Sequence, residues 1–465
     1  MMKMYSPLSV GTWARMGAAC GLLLTACAPG QDAPAPSTVI DASNYVAVGD
    51  TYTAGQSSGG LTRASQEYSY PNLLAQQFRR ASNATFSQPY LEPGTGSGYL
   101  SLAGFSNTGL PVVRRVAGQA VLRTVINPNA CGGPDTVRLL TRSATAATLP
   151  QNLGVPGLLL TQLETAGLGN AANATPGAAF NPYFERLLPA ADNRTYLKAV
   201  TDASAPATFF TYFLGLDDLM PYVRSGGTCP LTANLGLIMN LNAKKVLDVL
   251  TAKGRPGIIA KLPPLFTLAL LRQGAAITLQ RRLQTAFGDT ASLYVEKFGT
   301  GEAISDGDYV LATTLPRIGV RTPVVVNGTT LQLPYGRDIR NPLRNADVLA
   351  KNEYDRVKVV LDAYNEYLEG LAKSVYKMPK GADGKYAFDT SSAFPGNVPE
   401  TGTYSISGVT YSSEPVRGNF FSLDYYSLTP RGNALLANAF ISAINSAYRA
   451  NIPAIDVNTL PTSAQ

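Results

Sequence analysis

Asn44-Tyr45-Val46-Ala47-Val48-Gly49-Asp50-Thr51-Tyr52-Thr53-Ala54-Gly55 opens the folded part of this 465-residue chain. The apolar run from Tyr45 to Val48 is the pattern of a short strand buried on both faces, and the small residues after it turn the chain sharply. Two similar runs follow at residues 208–215 (Thr-Phe-Phe-Thr-Tyr-Phe-Leu-Gly) and 257–262 (Gly-Ile-Ile-Ala-Lys-Leu). Between them, residues 235–253 set Leu237, Leu241, Val246 and Leu250 at helical spacing and stop at Gly254. Strand, helix, strand with no hairpin signal predicts a parallel sheet with right-handed crossovers, hence an α/β fold.

Helices are also predicted over residues 70–80, 268–287, 352–376 and 429–448. The third carries Tyr354, Val357, Leu361, Tyr364, Leu368 and Leu371 along one stripe, which reads as core, and the last opens with Pro430 in its first turn. Asn327-Gly328 within 311–335, and Gly408 within 404–412, are hairpin signals. These hairpins interrupt the alternating pattern and are expected to form a small lid or an edge extension.

The N-terminal residues have a different character. Lys3 and Arg15 precede a short apolar run through Leu22-Leu23-Leu24, the layout of a secretory signal rather than a spanning helix. Leu24-Thr25-Ala26-Cys27 completes it as a lipobox, in which Cys27 receives the lipid and becomes the new N-terminus; an ordinary signal with an incidental cysteine is the alternative. The expected organisation is a signal peptide over 1–26, a Pro-rich tether over 27–43, one elaborated domain over 44–450 with insertions near 85–150 and 290–420, and a tail over 451–465. The body is expected on the cell envelope, at the outer membrane, with the membrane as its partner through the anchor at Cys27.

The formal charge of +7 falls to +5 when Lys3 and Arg15 leave with the signal, and it is spread without a long basic run, so no nucleic-acid partner is inferred. Two of the four cysteines lie in the signal region. The remaining pair, Cys131 and Cys229, forms a disulfide in an oxidising compartment; two free thiols are the alternative.

Gly49-Asp50-Thr51-Tyr52-Thr53-Ala54-Gly55 closely resembles block I of the SGNH (GDSL) hydrolase family, with Thr51 in the place of the nucleophilic serine. Asn152-Leu153-Gly154-Val155-Pro156-Gly157 is similar to block II, Gly215-Leu216-Asp217-Asp218 to the Gly-x-Asn-Asp of block III, and Asp424-Tyr425-Tyr426-Ser427 to the Asp-x-x-His of block V. Residues 60–78 and 429–438 are similar to a branch of envelope lipoproteins in that family. The resemblance implies a three-layer α/β/α, flavodoxin-like SGNH-hydrolase fold with a mainly parallel sheet and hairpin or lid insertions. Its site would lie at the carboxyl edge of the sheet, where ligands sit in open α/β sheets generally.

In the family's mechanism a histidine takes the serine proton, while the glycine amide and the asparagine side chain donate hydrogen bonds to the oxyanion. This chain has no histidine. Ser427 cannot serve as a base near neutral pH, Asp424 has no imidazole to orient, an ionised Asp217 only accepts hydrogen bonds, and Thr51 carries a methyl that stiffens its turn. Gly157 alone keeps its part. Loss of the base costs on the order of a million-fold in turnover, and loss of one oxyanion donor roughly a hundred- to a thousand-fold.

The expectation is therefore a scaffold whose family catalytic positions, Thr51, Gly157, Asp217, Asp424 and Ser427, are inactive. It would need no cofactor or metal, and would bind an acyl or glycan ligand or an envelope protein. Three alternatives stay open: an active ester hydrolase in which Lys261 serves Thr51 as base, a hard-cation site built from Asp50, Asp217, Asp218 and Asp424, and a structural component with a filled cleft.

Overall fold

Phe209-Phe210-Thr211-Tyr212-Phe213 is buried at every position because both faces of this strand carry a helical layer. Side chains alternate along a strand. Phe209 and Phe213 accordingly meet Phe78 and Phe440 on one side (ring centroids 5.6 and 6.3 Å apart), while the Tyr212 and Tyr364 hydroxyls lie 2.8 Å apart on the other. The computed structural model describes residues 40–464 apart from 82, 120, 128–134, 141–147, 176–177, 190 and 398–401, with backbone alone over 121–127 and 135–139.

The sheet consists of β1 (Tyr45–Gly49), β2 (Asn152–Gly154), β3 (Phe209–Phe213), β4 (Gly257–Lys261) and β5 (Phe388–Asp389). Its strand order is β2-β1-β3-β4-β5, with every pair parallel. This is the doubly wound order whose direction reverses between β1 and β3, opening a crevice at their carboxyl ends. Helices Tyr70–Ala81 and Pro430–Tyr448 pack together on one face, where Tyr70 stacks on Phe440 at 4.8 Å. Helices Tyr196–Ser204, Leu235–Leu250 and Lys351–Gly370 form the other layer. The core lies inside a single compact unit, Ser37–Gln465.

Where the two-residue β5 leaves the start of β4 unpaired, the Tyr448 hydroxyl accepts from the Gly257 N–H (2.9 Å) and donates to the Gly257 carbonyl (2.7 Å), occupying groups that would otherwise be exposed. The chain after β1 makes one helical turn, Thr51–Ala54, seated directly on β2. Only a glycine permits this approach, since a Cβ on Gly154 would lie 2.2 Å from the Ala54 nitrogen and 2.4 Å from the Thr53 carbonyl carbon.

The structure corrects several sequence expectations. Residues 268–287 form two helices, Ala269–Arg272 and Ala276–Phe287, because Gly274 between them accepts a backbone bond from Val310 at 2.8 Å so closely that no side chain fits there. In Leu235–Leu250 the buried face carries Met239, Ala243, Val246, Leu247 and Leu250, whereas Leu237 and Leu241 are exposed. The long helix Lys351–Gly370 loosens into a π-turn over Leu371–Val375.

Both predicted hairpins form, as Arg321–Val326 with Thr329–Pro334 and Thr403–Ile406 with Val409–Ser412. Three more form among the described residues, Tyr99–Phe105 with Pro111–Val116, Val121–Asn127 with Asp135–Leu140, and Tyr294–Lys297 with Thr300–Ala303, the last turning through Phe298 and Gly299 at positive φ. Cys229 is buried and disulfide-bonded; Cys131 and Cys27 lie outside the described residues. No helix of the described residues is long and apolar enough to cross a membrane.

Gly154→Ala forces backbone apart at the sheet edge that carries the Thr51 turn. The expected loss is roughly 1–3 kcal/mol or more of folding stability, read as a lower urea midpoint at unchanged slope.

Candidate functional site

β1 and β3 bring two short segments side by side at the reversal point of the sheet. Thr51 starts the turn after β1, and Asp217 stands in the first turn of helix Leu216–Arg224 after β3. The Asp50 carboxylate sets their spacing. Its Oδ2 accepts from the backbone N–H groups of Gly215, Leu216 and Asp217 at 3.2, 3.0 and 3.3 Å, capping that helix from the neighbouring strand. Such a terminus presents unpaired N–H groups and a positive dipole end, which a carboxylate satisfies. Asp218, next along, accepts from Leu160 N (2.8 Å) and Thr161 N (3.3 Å), fixing the loop that contains Gly157.

Four donors converge on Asp217. Oδ2 accepts from the Thr51 hydroxyl at 2.6 Å, the Gly157 N–H at 2.9 Å and the Thr51 N–H at 3.1 Å, while Oδ1 accepts from the Tyr426 hydroxyl at 2.7 Å. Gly157 N–H also points at the Thr51 oxygen, 3.3 Å away. Tyr426 is held by a stacked Tyr52, whose hydroxyl donates to the Tyr426 carbonyl, and the Arg224 guanidinium covers its ring at 4.6 Å. Thr51 and Asp217 are 4% and 5% exposed, whereas Gly157 is exposed, so the cradle is filled almost to the surface.

Chemically, this arrangement holds a hydroxyl but does not activate it. The Thr51 proton is engaged with a carboxylate, a weak base toward an alcohol, and both nearby N–H groups are already satisfied. Burial pushes the Tyr52 and Tyr426 phenols well above their ordinary range, which keeps them as donors. Among the described residues Asp50, Asp217 and Asp218 make no ion pair, so backbone and hydroxyl donors carry their stabilisation.

Of the sequence candidates, Thr51, Gly157 and Asp217 meet, while Asp424 and Ser427 form their own cluster. Asp424 accepts from the Ser427 and Ser422 hydroxyls and from the N–H groups of Ser427, Tyr426 and Gly59. Ser427 is fully buried. Lys261 is not joined to Thr51 by any hydrogen bond; it ends β4, two strand spacings or about 10 Å from β1. The four aspartates face separate donor sets rather than one another, and no group of metal ligands occurs among the described residues.

Tyr426 and Tyr52 are the residues that sequence reasoning passed over, and Asp50 was singled out as a cation ligand rather than as the cap of the helix that bears Asp217. Each adjoins a residue of the motifs quoted above, and only their place beside it could have drawn attention. Two clefts, of about 660 and 570 Å³, lie between the 378–397 segment and the last helix and among the hairpins of residues 296–344; Thr51 lines neither. No family model, curated protein or solved structure matches the chain.

Burial raises Asp218 from the ordinary 3.8 to about 7 and drives Asp50 well up, with the Asp217 charge adding to both. A carboxyl raised by folding stabilises the fold fully below its unfolded pKa and loses that contribution as pH rises through the folded value. Wild type should therefore lose melting temperature relative to Asp218→Asn steadily between about pH 4 and pH 7, then level off. A gap independent of pH would contradict this.

Proposed function

We propose that this chain is an exported, lipid-anchored cell-envelope protein built on an SGNH (GDSL) hydrolase scaffold whose chemistry has been lost, retained for binding or assembly at the envelope. The observation that carries the reading is the Asp217 carboxylate lodged among Thr51 N–H, Gly157 N–H and two hydroxyls. Of these, the Gly157 N–H matches the glycine amide from which the family stabilises an oxyanion. A carboxylate oxygen now stands in that role permanently and repels further negative charge.

The segments similar to blocks I, II and III contain or directly follow the carboxyl ends of β1, β2 and β3, which supports the likeness. Ser427 supports the loss of chemistry, because its hydroxyl is engaged by Asp424, the residue that would orient a histidine. A filled cradle moves the functional weight from this point to other surfaces of the body and favours an assembly role over acyl or glycan recognition here.

The test is hydrolysis of short-chain aryl esters and acetylated sugars by residues 28–465. Wild type should match the background of Thr51→Ala, and the triple variant Thr51→Ser/Asp217→Asn/Ser427→His should exceed both by at least ten-fold. Wild-type turnover abolished by Thr51→Ala would instead establish an active ester hydrolase.

A further inference from the structure

The hairpin Tyr99–Phe105/Pro111–Val116 lies in a stretch of unusual charge. Residues 93–134 contain Arg114, Arg115 and Arg123 and not one Asp or Glu. On this hairpin, Leu102 (40%), Phe105 (37%), Val112 (46%) and Val113 (41%) are exposed. Cross-strand partners share a face, and adjacent residues point to opposite faces. The register Leu102↔Val113 and Phe105↔Pro111 therefore puts Leu102, Phe105 and Val113 on one face and Val112 on the other.

Cations accompany the apolar residues. Arg114 and Arg115 are exposed, and Arg115 is fixed by the carbonyls of Gly59 and Ser97 rather than by a carboxylate. Arg417 lies over the Phe105 ring at 3.6 Å, with Glu414 the one carboxylate lining the small cavity they share. Beside the patch opens a cleft of about 310 Å³, lined by Leu100, Leu102, Val416 and Leu423 with serine, threonine and tyrosine and no charged residue.

We propose that this hairpin is a contact surface for an anionic lipid bilayer: arginines meet headgroup phosphates, and the aliphatic side chains enter the boundary with the acyl chains. Exposed apolar patches of this kind mark interaction sites, and clustered arginines beside aliphatic residues fit an interface that is anionic at one level and apolar just below. An acidic protein would satisfy the arginines, but it would leave the apolar residues of one face and the uncharged cleft in water. The proposal is independent of lipid attachment at Cys27.

Co-sedimentation tests it, with residues 28–465 and vesicles of phosphatidylglycerol mixed with phosphatidylcholine or of phosphatidylcholine alone. Wild type should pellet with the anionic vesicles and be released by salt. Arg114→Glu, and separately Leu102→Ser/Val112→Ser/Val113→Ser, should each weaken binding roughly ten-fold or more at unchanged melting temperature, since all four side chains are exposed. Absence of binding at low salt, or equal binding by all variants, overturns the proposal. So does a wild-type dimer that the serine variant makes monomeric, which would give the patch to a second copy. Binding to polyglutamate without vesicle binding overturns it as well, in favour of an acidic protein.

Discussion

One carboxylate organises the carboxyl edge of this sheet. Asp217 has both oxygens satisfied by donors from three separate segments: the turn after β1, the loop after β2 and the stretch before the last helix. Burying a carboxylate away from a cation is costly unless its lone pairs are met, and here they are met by N–H and O–H groups alone. Asp50 and Asp218 repeat the device. Asp50 ties β1 to the start of the helix bearing Asp217, and Asp218 ties that helix to the loop bearing Gly157. The three aspartates cross-brace the point at which the sheet changes direction, where α/β proteins ordinarily leave a crevice for a ligand.

The parts of the fold that depend on local pattern were legible in the sequence. β1, β3 and β4 are continuous apolar runs, and helices Tyr70–Ala81 and Pro430–Tyr448 have both the apolar spacing and the terminal residues of helices. Features set by tertiary approach were not. The helix break at Gly274 depends on Val310, some 36 positions later, and no periodicity records it. Leu237 and Leu241 fit a helical stripe but sit on its solvent side, because Met239, Ala243 and Val246 face the neighbouring helices. Strands of two or three residues, such as β2 and β5, are too short to carry a pattern at all.

The site was legible as positions and not as an arrangement. The motif likeness singled out Thr51, Gly157 and Asp217, and these do meet. Spacing in sequence could not reveal that Asp217 points inward as an acceptor, or that Tyr426, rather than its neighbour Ser427, reaches it. Asp424 keeps an orienting geometry, but what it orients is a serine hydroxyl buried among its own neighbours. A network in which every polar group already has a partner gains little from a ligand, which is why the hairpins and clefts elsewhere on the body are the better places to seek recognition.

The cradle around Thr51 is closed by the protein's own carboxylate. The most direct test of this closure is exposure of residues 28–465 to a fluorophosphonate probe that modifies activated serine or threonine hydroxyls, followed by intact-mass and peptide mass spectrometry. No adduct should form on Thr51 under conditions that label an active serine hydrolase to completion. A stoichiometric adduct at Thr51 would contradict the closure, because the hydroxyl would then be both accessible and activated despite its bond to Asp217.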